Sequence, residues 1–148
     1  MNSHASPLAL DNQLCFALHS TTLSMNKIYR QVLKPLAITY PQYLVMLVLW
    51  EQDRLTVSQL GERLFLDSAT LTPLLKRMQS QQLLTRQRGD QDERQVFIML
   101  TDKGQAMRQQ AAEIPQLVGC ATQCTPEQIQ YLREQLVQLR QSLQAASL

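Results

Sequence analysis

The chain has 148 residues, 45% of them hydrophobic, and a formal net charge of +2. That length and apolar content fit one domain with its own core and exclude a disordered chain, while so small a charge neither demands nor forbids a polyanionic partner. Only four glycines among many Leu, Gln and Ala residues tilt the balance towards helix. Residues 1–7 lack a basic start and a long apolar run, and no stretch reaches bilayer length. These features predict a cytoplasmic protein that does not engage a membrane.

After a polar N-terminus expected to fray, residues 10–33 read as a long helix with Leu14, Leu18, Met25, Ile28 and Val32 on its apolar face. Cys15 lies beside that stripe and His19 follows four residues later. The residues alone leave two readings open. Cys15 is a small packing residue, which is the commoner fate of a cysteine, or it is a thiolate favoured by a protonated His19 and an early helical position. Lys34-Pro35 closes this helix and Tyr40-Pro41 opens the next. Residues 43–50 are apolar almost all round, which predicts deep burial. Tyr29 and Tyr40 read as packing residues whose hydroxyls need partners if buried.

Thr56 with Gln59 has capping-box spacing, and Val57, Leu60 and Leu64 form the core face of a short helix. Across residues 67–100, Leu71, Leu74, Leu75 and Met78 fall at i, i+3, i+4 and i+7, leaving Thr70, Thr72, Lys76 and Arg77 for other faces. Pro73 lies inside that pattern, where it removes a backbone donor unless the regular helix starts late, with Thr72 as cap and Pro73 at the first position. Residues 83–87 and 95–100 are strand-like runs flanking a charged tip, with Gly89 where a positive φ is expected. Two helices, a tight link and a hairpin make a winged helix-turn-helix within a mainly α (α+β) fold. Such a unit suits duplex DNA, because the second helix fits the major groove and a basic wing reaches a neighbouring groove. Lys76, Arg77, Arg86, Arg88 and Arg94 are the candidate contacts. The competing reading is a solvated charged hairpin on a small α+β domain.

Thr101-Asp102 starts a further helix running through Met107 and Ala111 towards Ile114, where Pro115 interrupts. Residues 116–124, with Cys120, read as an irregular connection or a short helix. Thr125-Pro126-Glu127-Gln128 is a strong helix start, and Ile129, Leu132, Leu136, Leu139 and Leu143 trace a heptad seam that wants a partner. Striped helices at both ends of one DNA-binding unit predict a homodimer that presents two recognition helices to a pseudo-palindromic operator. Cys15, Cys120 and Cys124 are an odd number, expected to rest as thiols rather than as a disulfide framework. With only His4 and His19 beside them, they are poor material for zinc, so no metal or cofactor is expected.

Several segments together resemble the MarR family of transcriptional regulators over nearly the whole chain, and within it the organic-hydroperoxide-responsive repressors. They are residues 14–18 around Cys15, Tyr29, Tyr40-Pro41-Gln42-Tyr43, residues 66–76 and Asp92-Glu93-Arg94. The resemblance implies one such domain, with residues of about 10–50 and 102–146 dimerising and about 55–101 binding DNA. It further implies that Cys15 is the sensor, that Tyr29 and Tyr40 from the opposite subunit hydrogen-bond to its sulfur, and that Cys120 resolves the oxidised sensor as an intersubunit disulfide. Cys124 is extra and read as packing. On the DNA side it implies contacts from Ser68, Thr70, Thr72, Lys76 and Arg77, with Arg94, positioned by Asp92, in the minor groove and Arg86 holding wing or backbone. Two alternatives stand beside it. One is a repressor of this family that answers a small aromatic ligand in the dimer cleft. The other is a thiol peroxidase, disfavoured because no Cys-x-x-Cys occurs and the wing would be left unexplained.

Overall fold

The computed structural model describes residues 6–147, so the first five residues of the stretch expected to fray lie outside the described residues. The chain divides into two compact units, one ending at Ala112 and the other beginning at Glu113.

In the first unit, a 3-10 turn at Leu10–Asn12 precedes α1, Leu14–Val32. The long helix expected over residues 10–33 therefore begins four residues late. None of its residues is buried: on its apolar stripe Leu14 is exposed and Leu18, Met25, Ile28 and Val32 are half-buried. A second 3-10 turn, Lys34–Leu36, leads into α2, Tyr40–Glu51. The start of α2 is fixed by Thr39 and Gln42, each capping the other's backbone N–H, with Pro41 in the first turn. As its composition predicts, α2 is the core helix, with Tyr43, Val45, Met46, Val48 and Leu49 all buried.

The two-residue strand β1, Leu55–Thr56, is too short for an alternating pattern and was not foreseen. It leads directly into α3, Val57–Leu64, capped by the Thr56–Gln59 box. The chain reverses at Phe65, φ 57°, and Gly61 is required at this corner because a Cβ there would lie 2.7 Å from the Leu66 carbonyl oxygen. Helix α4 follows, Ser68–Ser80. Its start decides between the two courses that Pro73 left open. The Asp67 carboxylate accepts from the Thr70 N–H at 2.7 Å and begins the helix five residues before Pro73, which sits in the interior. Proline there has no N–H for the Ala69 carbonyl, but Ala69 is exposed, where water can serve it. Burial of Leu71, Leu74, Leu75 and Met78 outweighs that loss.

Strands β2, Leu84–Arg88, and β3, Val96–Leu100, form the hairpin, and β1 pairs with the far side of β3 to give an antiparallel sheet in the order β1-β3-β2. Gly89 does not have the positive φ expected of it. It provides room, since a Cβ would lie 2.8 Å from the Asp92 carbonyl oxygen. In this unit the left-handed positions are Ala37, Arg54, Phe65 and Gln82. Thr101 caps α5, Asp102–Ala111, and the Trp50 indole N–H donates to the Gly104 carbonyl at 3.0 Å, joining α2 to α5.

In the second unit, Pro115 lies in the first turn of a helix, the second of the two forms expected for this segment. Helix α6 spans Ile114–Thr122, the chain reverses at Gln123 with φ 56°, and α7 runs from Pro126 to Ala145 behind the Thr125–Gln128 capping box. Among the described residues, no helix is long and apolar enough to cross a membrane.

Candidate nucleic-acid interface and thiol site

With four apolar residues of α4 turned into the core, a rotation of 100° per residue leaves Ala69, Pro73, Lys76 and Ser80 as the outermost ridge. All four are exposed. Of the residues expected to meet DNA, Ser68, Thr70, Lys76 and Arg77 are exposed and Thr72 is half-buried. The Arg77 guanidinium leans back towards the Pro73 carbonyl at 3.4 Å. The sequence reading missed Ala69, Pro73 and Ser80. Their signal was present in the phase of the apolar stripe, once Pro73 is accepted inside the helix. The ridge is small, apolar at Ala69 and Pro73 and polar at Lys76 and Ser80, with the Arg77 cation beside it, a shape and charge a major groove accepts.

On the wing, Asp92 Oδ1 accepts from both the backbone N–H and Nε of Arg94, at 3.0 and 3.2 Å, so a two-residue loop motif aims the guanidinium. Arg88 is exposed, whereas Arg86 is half-buried and its Nε is buried without a hydrogen-bond partner. The base of the wing is held by two residues that the sequence reading did not single out. Asp53 Oδ1 accepts from the Leu100 and Arg54 N–H groups at 2.9 Å each, and the Arg54 guanidinium lies 4.6 Å over the Phe97 ring.

The thiols lie elsewhere. Cys15 is exposed at the start of α1, so the buried packing reading does not hold for the chain by itself. Tyr29 is near the other end of the same helix, fourteen residues on, which at 1.5 Å per residue puts it about 21 Å along the axis. There the Tyr29 ring stacks on Tyr40 with centroids 4.2 Å apart and lies 5.8 Å from Tyr43. Burial, helped by Tyr40 and Tyr43, pushes the Tyr29 phenol up to about 12, and burial also raises Tyr40. Both phenols therefore stay protonated at neutral pH and can donate. In the second unit Cys120 is exposed and Cys124 half-buried, and both line a groove of about 480 Å³ with Gln116 and Arg133. The structure thus gathers the residues expected to meet DNA on α4 and the wing, and gathers Tyr29 with Tyr40. It keeps Cys15 away from the tyrosines of its own chain.

The SarA/Rot transcriptional regulator family matches residues 27–111. The organic hydroperoxide resistance transcriptional regulator of Bacillus subtilis is 45% identical over 136 residues, covering 92% of both chains. The chain belongs to the MarR/SarA family of transcriptional regulators. TtmR of Methylorubrum extorquens, an HTH-type regulator, is also 45% identical over 94% of this chain and 71% of its own. Among solved structures, reduced AbfR bound to DNA superposes with a TM-score of 0.76 at 36% identity, covering 93% of this chain and 96% of that one. Disulfide-formed AbfR superposes less well, at 0.62 with 37% identity over 88% and 91%. AbfR is a protein of Staphylococcus epidermidis. Within this MarR/SarA frame the protein is a winged-helix, DNA-binding transcriptional regulator, and its relatives are regulators rather than enzymes.

Proposed function

We propose that this regulator is a homodimeric, cytoplasmic repressor that organic hydroperoxides release from operator DNA through Cys15. The observation that carries the reading is the separation along α1. Cys15 is exposed at one end and the stacked Tyr29–Tyr40 pair sits about 21 Å away, so the phenols that would hold its sulfur must come from a second copy. Supporting it, α1 and α7 carry exposed apolar residues, Leu14, Leu23, Leu132, Leu136 and Leu143 among them, and these are the surfaces a dimer would cover.

The chemistry follows from the thiolate. Cys15 S⁻ attacks the terminal oxygen of ROOH and the O–O bond breaks. The alkoxide leaves and takes a proton as ROH, and Cys15 becomes a sulfenic acid. The two phenols donate to the sulfur and favour the thiolate. The partner's Cys120 thiolate then attacks the sulfenic sulfur, hydroxide leaves and is protonated to water, and an intersubunit disulfide forms. Exposed Leu14 and Phe16 beside the thiol suit alkyl peroxides. On DNA, Ser68, Thr70, Thr72, Lys76 and Arg77 meet one major groove, Arg94 held by Asp92 meets the minor groove, and Arg86 braces the wing. A disulfide that pulls the two copies into a new arrangement moves two recognition helices off their half-sites.

The test is a gel-shift titration on a duplex from the protein's own promoter region, reduced and after stoichiometric organic hydroperoxide, beside Cys15→Ser and Cys120→Ser. Release of the parent but not of Cys15→Ser, with a disulfide dimer on a non-reducing gel that Cys120→Ser cannot form, is the expected result. A parent that stays bound once oxidised overturns the reading in favour of a repressor that answers an aromatic ligand.

A further inference from the structure

Among the described residues Gln42 is the buried polar one, 5% exposed, and it sits in the first turn of α2 between Tyr40 and Tyr43. Both ends of its carboxamide are engaged. Oε1 accepts from the Thr39 backbone N–H at 3.0 Å, closing the capping box, and this fixes which way the amide points. Nε2 is thereby aimed away from α2 and donates to Gln81 Oε1 at 3.1 Å, across 39 residues of sequence. Gln81 is the residue that ends the recognition helix α4. Its backbone N–H bonds the Arg77 carbonyl, and its carbonyl accepts from Lys103 Nζ at 3.0 Å. One residue on, the Gln82 carbonyl accepts from the Thr101 hydroxyl at 2.6 Å, at the junction of the wing with α5. A continuous polar chain thus runs from the helix turn that carries Tyr40 and Tyr43 to the end of α4.

A buried amide is costly to leave half-bonded, so this contact is made in full or lost at a penalty, and does not stretch gradually. We propose that the Gln42–Gln81 hydrogen bond is the strut that couples the state of the tyrosine cluster to the position of the recognition helix. Gln42 and Gln81 are positioning residues, touching neither peroxide nor DNA. The inference rests on the peroxide reading above and names the path by which α2 would pass its displacement to α4. Local capping alone does not require Gln81, since Gln59 and Gln128 make the same backbone contact in their own boxes and, among the described residues, their amide groups make no second hydrogen bond. A two-way amide spent on a distant helix end is what distinguishes Gln42.

The experiment measures the DNA Kd of the full-length protein by fluorescence anisotropy, on a labelled duplex from its own promoter region, before and after one equivalent of cumene hydroperoxide. Mass spectrometry follows Cys15 oxidation and thermal melts follow folding. Gln81→Met removes the acceptor at an exposed position, Gln42→Leu removes the bond from the other side, and Gln81→Glu keeps an acceptor oxygen. The expected result is that Gln81→Met and Gln42→Leu bind reduced-state DNA but lose at least about 5-fold of the oxidised-to-reduced Kd ratio, the lower end of ordinary allosteric couplings. Cys15 should oxidise as fully as in the parent, and Gln81→Glu should keep the parent ratio even if its added charge weakens both states. If Gln81→Met keeps the full ratio while the parent responds, the strut is overturned and the peroxide reading stands. If the parent does not respond, both fall.

Discussion

Gly104→Ala sets helix propensity against packing, and the structure says which wins. The residue lies inside α5, where alanine should be better than glycine by about 1 kcal/mol. The added Cβ, however, would sit inside the contact shell of the Leu83 carbonyl oxygen and 3.1 Å from Leu100 Cδ2. The Leu83 carbonyl cannot turn away freely, because it accepts from the Thr101 N–H at 3.1 Å at the start of the same helix. Relief therefore requires α5 to back away from the hairpin, which strains the Trp50–Gly104 bond of 3.0 Å and the Thr101 cap at 3.1 Å. Overpacking of this kind costs about 1–3 kcal/mol and one weakened hydrogen bond about 1 kcal/mol more. Subtracting the propensity gain leaves a net loss of about 2 kcal/mol, or a Tm lower by about 4–8 °C for a chain of this size. Circular dichroism at fixed protein concentration measures it. Trp50, the single tryptophan of the chain, reports independently through a red shift of its emission. A Tm equal to or above the parent's with unshifted Trp50 emission would refute the steric reasoning.

Two further outcomes follow from the wing and the tyrosines. The Asp92–Arg94 pair is solvent-exposed, with side-chain accessibilities of 42% and 92%, so Asp92→Ala should leave Tm unchanged. It should nevertheless weaken DNA binding, and Arg94→Ala should lower the salt dependence of log Kd by about one phosphate contact. Titrations from 50 to 200 mM salt, a range of about fourfold, read both effects, and an unchanged slope in Arg94→Ala would remove that side chain from the interface. The Tyr29 phenol is raised from 10.0 to about 12, so the folded state holds its proton more tightly than the unfolded chain. Its contribution is fully present below pH 10 and is lost as pH climbs towards 12. Urea midpoints measured between those limits should fall more steeply for the parent than for Tyr29→Phe, and parallel declines would contradict the assignment.

What the sequence determined by itself was whatever a few neighbouring residues decide among themselves. The Thr56–Gln59 and Thr125–Gln128 boxes, the Thr101 cap and the stripe of Leu71, Leu74, Leu75 and Met78 all act within one or two helical turns, so spacing alone exposed them. The winged helix-turn-helix was legible for the same reason, whereas the aiming of Arg94 by Asp92 was implied only by the family resemblance. The start of α4 was not legible, because the local penalty of Pro73 is overruled by the Asp67 cap together with burial of the helix against the rest of the core. Strand β1 exists only because β3 offers it a partner 43 residues away, in the register Leu55 to Ile98. Gly89 and Gly104 are fixed by backbone that passes close to them, a matter of approach rather than of φ. The exposure of Cys15, the stacking of Tyr29 on Tyr40 and the Gln42–Gln81 bond are likewise tertiary. Each depends on which faces of distant helices meet, and no window of adjacent residues contains that information.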